Sequence, residues 1–143
     1  MLIANILLGK GAAVHTLRSD CVLEQAAKEL HERKVGALVV VDSAGAVAGV
    51  LSERDIVREA ALKGAACLTE PASSAMSRGV VTADPGETVD ACLSRMTDRR
   101  IRHLPVLERG ELVGIVSIGD LVKHKIMEAE AEAAAMQAYI AAQ

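Results

Sequence analysis

Val47-Ala48-Gly49-Val50-Leu51-Ser52-Glu53-Arg54-Asp55-Ile56-Val57 reads as an apolar strand that turns at a serine into a helix. The same reading returns at Leu112-Val113-Gly114-Ile115-Val116-Ser117-Ile118-Gly119-Asp120-Leu121-Val122. Recurrence at a fixed spacing marks a duplicated unit. Working upstream, Val35-Gly36-Ala37-Leu38-Val39-Val40-Val41-Asp42 answers Ile101-Arg102-His103-Leu104-Pro105-Val106-Leu107-Glu108, and Val14-His15-Thr16 answers Val80-Val81-Thr82, each 66 residues apart. The spacing falls to 65 after the turn, where Ser43-Ala44-Gly45 faces the shorter Arg109-Gly110. The chain therefore carries one unit twice.

Each unit reads as strand, helix, strand, strand, helix. Leu38–Val41 and Leu104–Leu107 are short aliphatic runs ended by glycine-containing turns, the pattern of buried strands in hairpins. Val22, Leu23, Ala26, Ala27 and Leu30 recur at helical spacing, as do Val89, Cys92, Leu93 and Met96. Pro85 suits the approach to a helix start. A polar connection with Pro71 runs through Lys63–Ser77. One unit alone is too small to cover both faces of its sheet. The expectation is an α/β fold of two β-α-β-β-α repeats packed about a pseudo-twofold axis, with residues 1–66 as the first repeat and its N-terminal helix, 67–125 as the second, and 126–143 as a C-terminal helix. In that last helix Val122, Ile126, Ala129, Ala133, Met136 and Ile140 form a heptad seam, which suits either an interface between subunits or a helix covering its own domain.

Composition narrows the function. The 143 residues are 51% hydrophobic but 1% aromatic, with no Trp, no Phe and one Tyr, at position 139. Base-stacking platforms and aromatic cages need more rings than that. A net charge of −3 disfavours nucleic acid as a partner. Cys21, Cys67 and Cys92 are scattered, with no CxxC pair, as in a reducing compartment. No apolar run reaches the roughly 18 residues of a membrane span. Met1–Leu8 lacks the basic start of a signal peptide. A soluble cytoplasmic protein is expected, without a membrane or nucleic-acid partner. His15, His31, His103 and His124 lack metal-ligand spacing, and no Ser/Cys–His–acid set is suggested. Gly9-Lys10-Gly11-Ala12-Ala13 lacks the third glycine and the following helix of a dinucleotide fingerprint. No metal and no catalytic group are expected.

The repeated Ser-x-x-Asp admits two readings. As a capping box, the serine takes the third helical N–H and the acid reaches back to the serine N–H, worth about 1 kcal/mol. As a nucleoside site, a carboxylate at a strand-to-helix turn accepts ribose hydroxyls, and the exposed helix N–H groups favour phosphate. The element alone does not choose.

The pattern Val-Gly-(Val/Ile)-(Leu/Val)-Ser-x-x-Asp-(Ile/Leu), after a hairpin and repeated, resembles the signature of CBS domains, and the pair resembles a Bateman module over roughly Ala12–Lys125. Ile101-Arg102-His103-Leu104-Pro105-Val106, and Met76 ahead of Val80-Val81-Thr82, add to the match. The whole chain is similar to short stand-alone bacterial proteins made of one such pair and a C-terminal helix. The resemblance implies an adenosine ligand (AMP, ADP, ATP, NAD(H) or S-adenosylmethionine) in the clefts between repeats, a homodimer, and a regulatory output to an unidentified partner protein.

Carried over, Asp55 and Asp120 would take ribose hydroxyls, with Ser52, Ser117, Thr16 and Thr82 on ribose or phosphate. Backbone at Val35-Gly36-Ala37 and Ile101-Arg102-His103, with Pro105 beside it, would read the adenine. The copies differ where charge sits. Arg54 aligns with Gly119, and Gly36-Ala37 with Arg102-His103. Arg54, Arg58, Arg102, His103 and Lys10 are the phosphate candidates, arginine because its fork matches phosphate oxygens. Arg102-His103 falls on a strand expected to be buried, where charge needs a partner. Two nonequivalent sites follow. The rival readings are a structural dimerisation module whose Ser-x-x-Asp turns are only caps, and a nucleotide-processing enzyme.

Overall fold

The structure is a computed structural model that describes residues 1–11 and 14–143. The Ala12-Ala13 end of the glycine-containing stretch lies outside the described residues. In chain order the elements are α1 (Ile3–Lys10), β1 (Thr16–Arg18), α2 (Leu23–Arg33), β2 (Ala37–Val41), β3 (Val47–Ser52), α3 (Glu53–Lys63), α4 (Val89–Arg99), β4 (His103–Glu108), β5 (Glu111–Ser117) and α5 (Ile118–Ala141). They fall into two compact units, Ala13–Val81 and a second made of Met1–Ala12 with Thr82–Gln143.

In the unit Ala13–Val81, β1 pairs parallel with β2 and β2 pairs antiparallel with β3. The hairpin turn is set by Asp42, whose Oδ1 accepts from the amides of Ala44 at 2.9 Å and Ala46 at 3.0 Å. Helix α2 is the crossover between the parallel strands and buries Leu23, Ala26 and Leu30, the face its periodicity predicts. These side chains join Leu17, Leu38, Val40, Leu51, Cys67 and Met76 in one aliphatic core.

The other unit repeats the hairpin with β4 and β5, turned at Arg109 and Gly110, both at positive φ. The strand expected at Val80–Thr82 does not form. A single parallel bridge, Ala83 to Val106, takes its place, with the Ala83 amide donating to the Pro105 carbonyl and the Leu107 amide to the Ala83 carbonyl, both at 2.9 Å. That bridge is the counterpart, 66 residues on, of Leu17 opposite Val40. It extends no further because Pro85 follows without an amide and Asp84 turns to accept from the Gly86 amide at 2.8 Å.

The two copies exchange their leading segments. Around Leu2 and Thr88, the Ile3 amide donates to the Glu87 carbonyl at 2.9 Å and the Val89 amide to the Met1 carbonyl at 3.0 Å. Around Pro71 and Val22, the Leu23 amide donates to the Glu70 carbonyl at 2.9 Å and the Ala72 amide to the Cys21 carbonyl at 2.7 Å. Residues 1–7 therefore serve the second copy as residues 70–76 serve the first. Ile3 and Ile6 are fully buried there. Boundaries at 1–66 and 67–125 follow the copies, whereas packing gives residues 1–12 to the second copy and 67–81 to the first. Two glycines make the exchange possible. A Cβ on Gly49 would lie 2.7 Å from Met76 Sδ, and one on Gly114 would lie 2.5 Å from a Leu7 methyl. Helix α5 runs unbroken through the point expected to divide repeat from tail, and residues 129–143 are exposed throughout.

Candidate functional site

Both Ser-x-x-Asp elements fold as capped strand-to-helix turns. At the first, the Ser52 amide donates to Asp55 Oδ2 at 2.9 Å and the Asp55 amide donates to Ser52 Oγ at 3.3 Å. At the second, the Ser117 amide donates to Asp120 Oδ2 at 2.9 Å and the Asp120 amide to Ser117 Oγ at 3.1 Å. The capping reading is therefore realised, and each carboxylate keeps one oxygen beyond its cap.

What holds that second oxygen differs. Arg58, one turn along the same helix, sits 3.0 Å from Asp55 Oδ1, so both oxygens are engaged, and the Asp55 side chain is only 8% exposed. At Asp120 the cation comes from far away in sequence: Lys10 Nζ, at the end of α1, lies 2.7 Å from Oδ2 and donates to the Ile115 carbonyl at 2.9 Å. Among the described residues no donor reaches Asp120 Oδ1. Burial works against the Asp120 charge, but hydrogen bonds from Lys10 and Ser117 outweigh it and hold the carboxyl below its ordinary range. The side chain is 28% exposed, open enough to meet a ligand.

The other candidates gather unevenly. Ala37 pairs with Ser52 across the hairpin, and His103 pairs with Ser117. The carbonyls just before them close both turns in the same way: Gly36 accepts from the Glu53 amide at 3.0 Å, and Arg102 from the Ile118 amide at 2.8 Å. The structure thus brings Gly36, Ala37, Ser52, Asp55 and Arg58 to one turn, and Lys10, Arg102, His103, Ser117 and Asp120 to the other. Thr16 is exposed at the start of β1, paired with Val39. Ile101 is half-buried, its amide donating to the Met96 carbonyl at 3.0 Å. Pro105 is buried inside β4. Arg102 departs from expectation, because it precedes β4 and is exposed, so it needs no buried partner; His103, the first residue of the strand, is half-buried. Arg54 is exposed on the first turn of α3.

Thr82 is tied differently from Thr16. Its carbonyl accepts from Arg95 at 2.9 Å, and Arg95 also makes a two-pronged ion pair with Glu87. Hydrogen bonding within that pair lowers the Glu87 carboxyl and raises the guanidinium. Arg95 had no signal in the copy alignment, because Glu29 stands at its place in the first copy. Among the described residues no three His, Cys, Asp or Glu side chains are grouped to hold a metal. Among the same residues no helix is long and apolar enough to cross a membrane.

The family model for the CBS domain matches residues 12–62 and again 72–126. The chain is 34% identical over 126 residues to the CBS domain-containing protein CBSX3, mitochondrial, of Arabidopsis thaliana, covering 85% of this chain and 61% of that protein, so it spans under two thirds of that relative. The fold superposes on a CBS-domain containing protein from Agrobacterium tumefaciens with TM-score 0.85, 43% identity and coverage of 87% of this chain and 92% of that one. Two further similar structures carry ligands. The CBS domain pair of protein MJ0100, solved with 5′-methylthioadenosine and S-adenosyl-L-methionine, matches at TM-score 0.80 and 26% identity, over 90% of this chain and 98% of that one. A protein of Pyrobaculum aerophilum, solved with AMP, matches at 0.76 and 28%, over 84% and 89%.

Proposed function

The chain belongs to the CBS-domain family, and on that premise we propose that it is a regulatory module binding an adenine nucleotide at its two Ser-x-x-Asp turns. The observation that carries this is the Asp120 carboxylate: capped on one oxygen, open on the other, and paired with Lys10 at a turn where His103 stands opposite Ser117. The ligands of the two similar structures share an adenosine group, which supports the ligand class. AMP, ADP, ATP and NAD(H) are the members proposed for this chain. In the proposal Asp55 and Asp120 accept ribose hydroxyls. Ser52, Ser117, Thr16 and Thr82 bond ribose or phosphate, and the backbone at Gly36, Ala37, Ile101 and Pro105 borders the base. Arg54, Arg58, Arg102, His103 and Lys10 serve phosphate. The module acts by binding and carries out no reaction of its own. Its output is a change in the balance of conformations, driven by whatever difference in affinity the ligand has for them. A cytoplasmic setting, suggested by three unpaired cysteines, is part of the same proposal.

The proposed homodimer rests on α5. Past Glu128 the helix covers nothing of its own unit, and Ile126, Met136 and Ile140 are all exposed. A second copy laid parallel along the seam brings Lys125 against Glu130 of the second copy on both flanks. An antiparallel copy centred on the same seam sets Glu130 and Glu132 against their own equivalents. Charge thus favours the parallel arrangement.

Thermal shift and calorimetry with AMP, ADP, ATP, NADH and S-adenosylmethionine test the ligand reading. Each Asp→Ala variant, Asp55→Ala and Asp120→Ala, is expected to weaken its own site by about one to two decades, as loss of a charged hydrogen bond of roughly 1.5–3 kcal/mol implies. No response to any ligand, or full affinity in the double variant, returns the turns to plain helix caps.

A further inference from the structure

We propose that Lys10 makes the Asp120 turn selective for 5′-phosphorylated nucleosides over uncharged or sulfonium nucleosides, by moving from the carboxylate to the ligand's phosphate. This rests on the nucleotide reading above. Asp120 Oδ2 already accepts from the Ser117 amide at 2.9 Å and from Lys10 at 2.7 Å, so its two lone-pair directions are filled. A ribose diol that takes both carboxylate oxygens must displace one of these donors. The Ser117 amide is fixed by the helix cap, whereas the ammonium rides on a flexible four-carbon stem.

The displaced ammonium cannot go far. Lys10 ends α1, which is pinned by the fully buried Ile3 and Ile6 and by Leu7 against Gly114, and its Nζ is also held by the Ile115 carbonyl. It therefore stays beside the ligand and needs a new anion. A nucleoside 5′-phosphate brings one. Adenosine brings none, and S-adenosylmethionine puts a sulfonium cation where the phosphate would lie, its carboxylate being at the far end of the methionine chain beside an ammonium. At Asp55 the equivalent cation is Arg58, which also donates to the Ala75 carbonyl at 3.1 Å; it comes from the same helix and is half-exposed, so it can leave the carboxylate while keeping that carbonyl and water as partners. Selectivity against unphosphorylated ligands is thus a property of the Asp120 turn.

Calorimetry of the full chain in an Asp55→Ala background, which silences the other turn, tests this with AMP, adenosine and S-adenosylmethionine. Lys10→Met is expected to weaken AMP by about tenfold or more, the scale of one charge-assisted hydrogen bond, while adenosine binds at least as tightly as before. Lys10→Arg is expected to keep the AMP preference. Lys10→Gln carries the same test should the Met variant not fold. Equal weakening of all three ligands, or an unchanged AMP-to-adenosine ratio, overturns the role of Lys10 and leaves the nucleotide reading standing. Absence of binding by any of the three to the Asp55→Ala parent, and of any ligand by the native chain, removes both.

Discussion

Gly49 and Gly114 occupy the same place in the two copies, yet alanine should harm them unequally. At Gly49 the new methyl would meet Met76 Sδ and the Ser77 carbonyl oxygen, each at 2.7 Å. That carbonyl is fixed: it accepts from the Val50 amide at 3.1 Å, and the Ser77 amide donates back to the Val50 carbonyl at 2.9 Å. Relief requires opening this bridge, so Gly49→Ala belongs at the upper end of the usual overpacking range, about 2–3 kcal/mol. At Gly114 the new methyl meets only Leu7, whose Cδ2, Cδ1 and Cγ lie at 2.5, 3.1 and 3.4 Å. The Leu7 side chain is half-buried and can turn away, so the cost should be near 1 kcal/mol. At roughly 2–4 °C per kcal/mol for a chain of this size, the two melting temperatures should separate by several degrees. A double-mutant cycle isolates the cause. Leu7→Ala should remove most of the Gly114→Ala penalty, whereas Met76→Ala should leave most of the Gly49→Ala penalty in place because the carbonyl remains. Denaturant titration of the native chain and the six variants reads this directly. Equal losses at the two glycines, or full rescue of Gly49→Ala by Met76→Ala, would refute the packing of the exchanged segments described above.

Asp120 sits below its ordinary range in the folded chain, so the stability it contributes is present above the unfolded carboxyl value near 4 and is lost as pH falls through the folded one. Lys10→Met should raise the Asp120 value seen by carboxyl NMR and move acid unfolding to higher pH; an unmoved titration contradicts the ion pair. Arg95→Met removes both the Glu87 pair and the Thr82 carbonyl bond and should cost about 1–3 kcal/mol. Because Glu87 is also lowered, its part of that stability fades with acid in the native chain and is missing from the variant. A loss of less than a few tenths of a kcal/mol would show that the pair is merely superficial. Truncation after Glu128 should leave monomer stability nearly unchanged, since residues 129–143 cover nothing in their own unit. Light scattering should show a dimer becoming a monomer; equal masses before and after contradict the helix pairing.

The copy-to-copy spacing, the crossover helices, both hairpins and the Ser-x-x-Asp caps are local: each rests on periodicity, a turn residue or a contact within a few positions, and all are legible along the chain. The second copy already strains that reading. Val80-Val81-Thr82 has a strand's composition, but Asp84-Pro85 just beyond it stops the ladder at one bridge. Arg102 likewise looks bound for a buried strand and instead falls one residue short of it.

Periodicity and turn residues read along the chain were enough to make it a doubled α/β unit of the CBS family, with one carboxylate turn per copy. Which leading segment serves which copy emerges from the packing alone, and with it the pairing of Lys10, 110 positions away, with Asp120 while Asp55 draws Arg58 from its own helix. Helix periods and turn preferences act over a few residues. The partner of a half-buried charge is chosen instead by how segments pack, and packing joins residues whose separation in sequence carries no pattern.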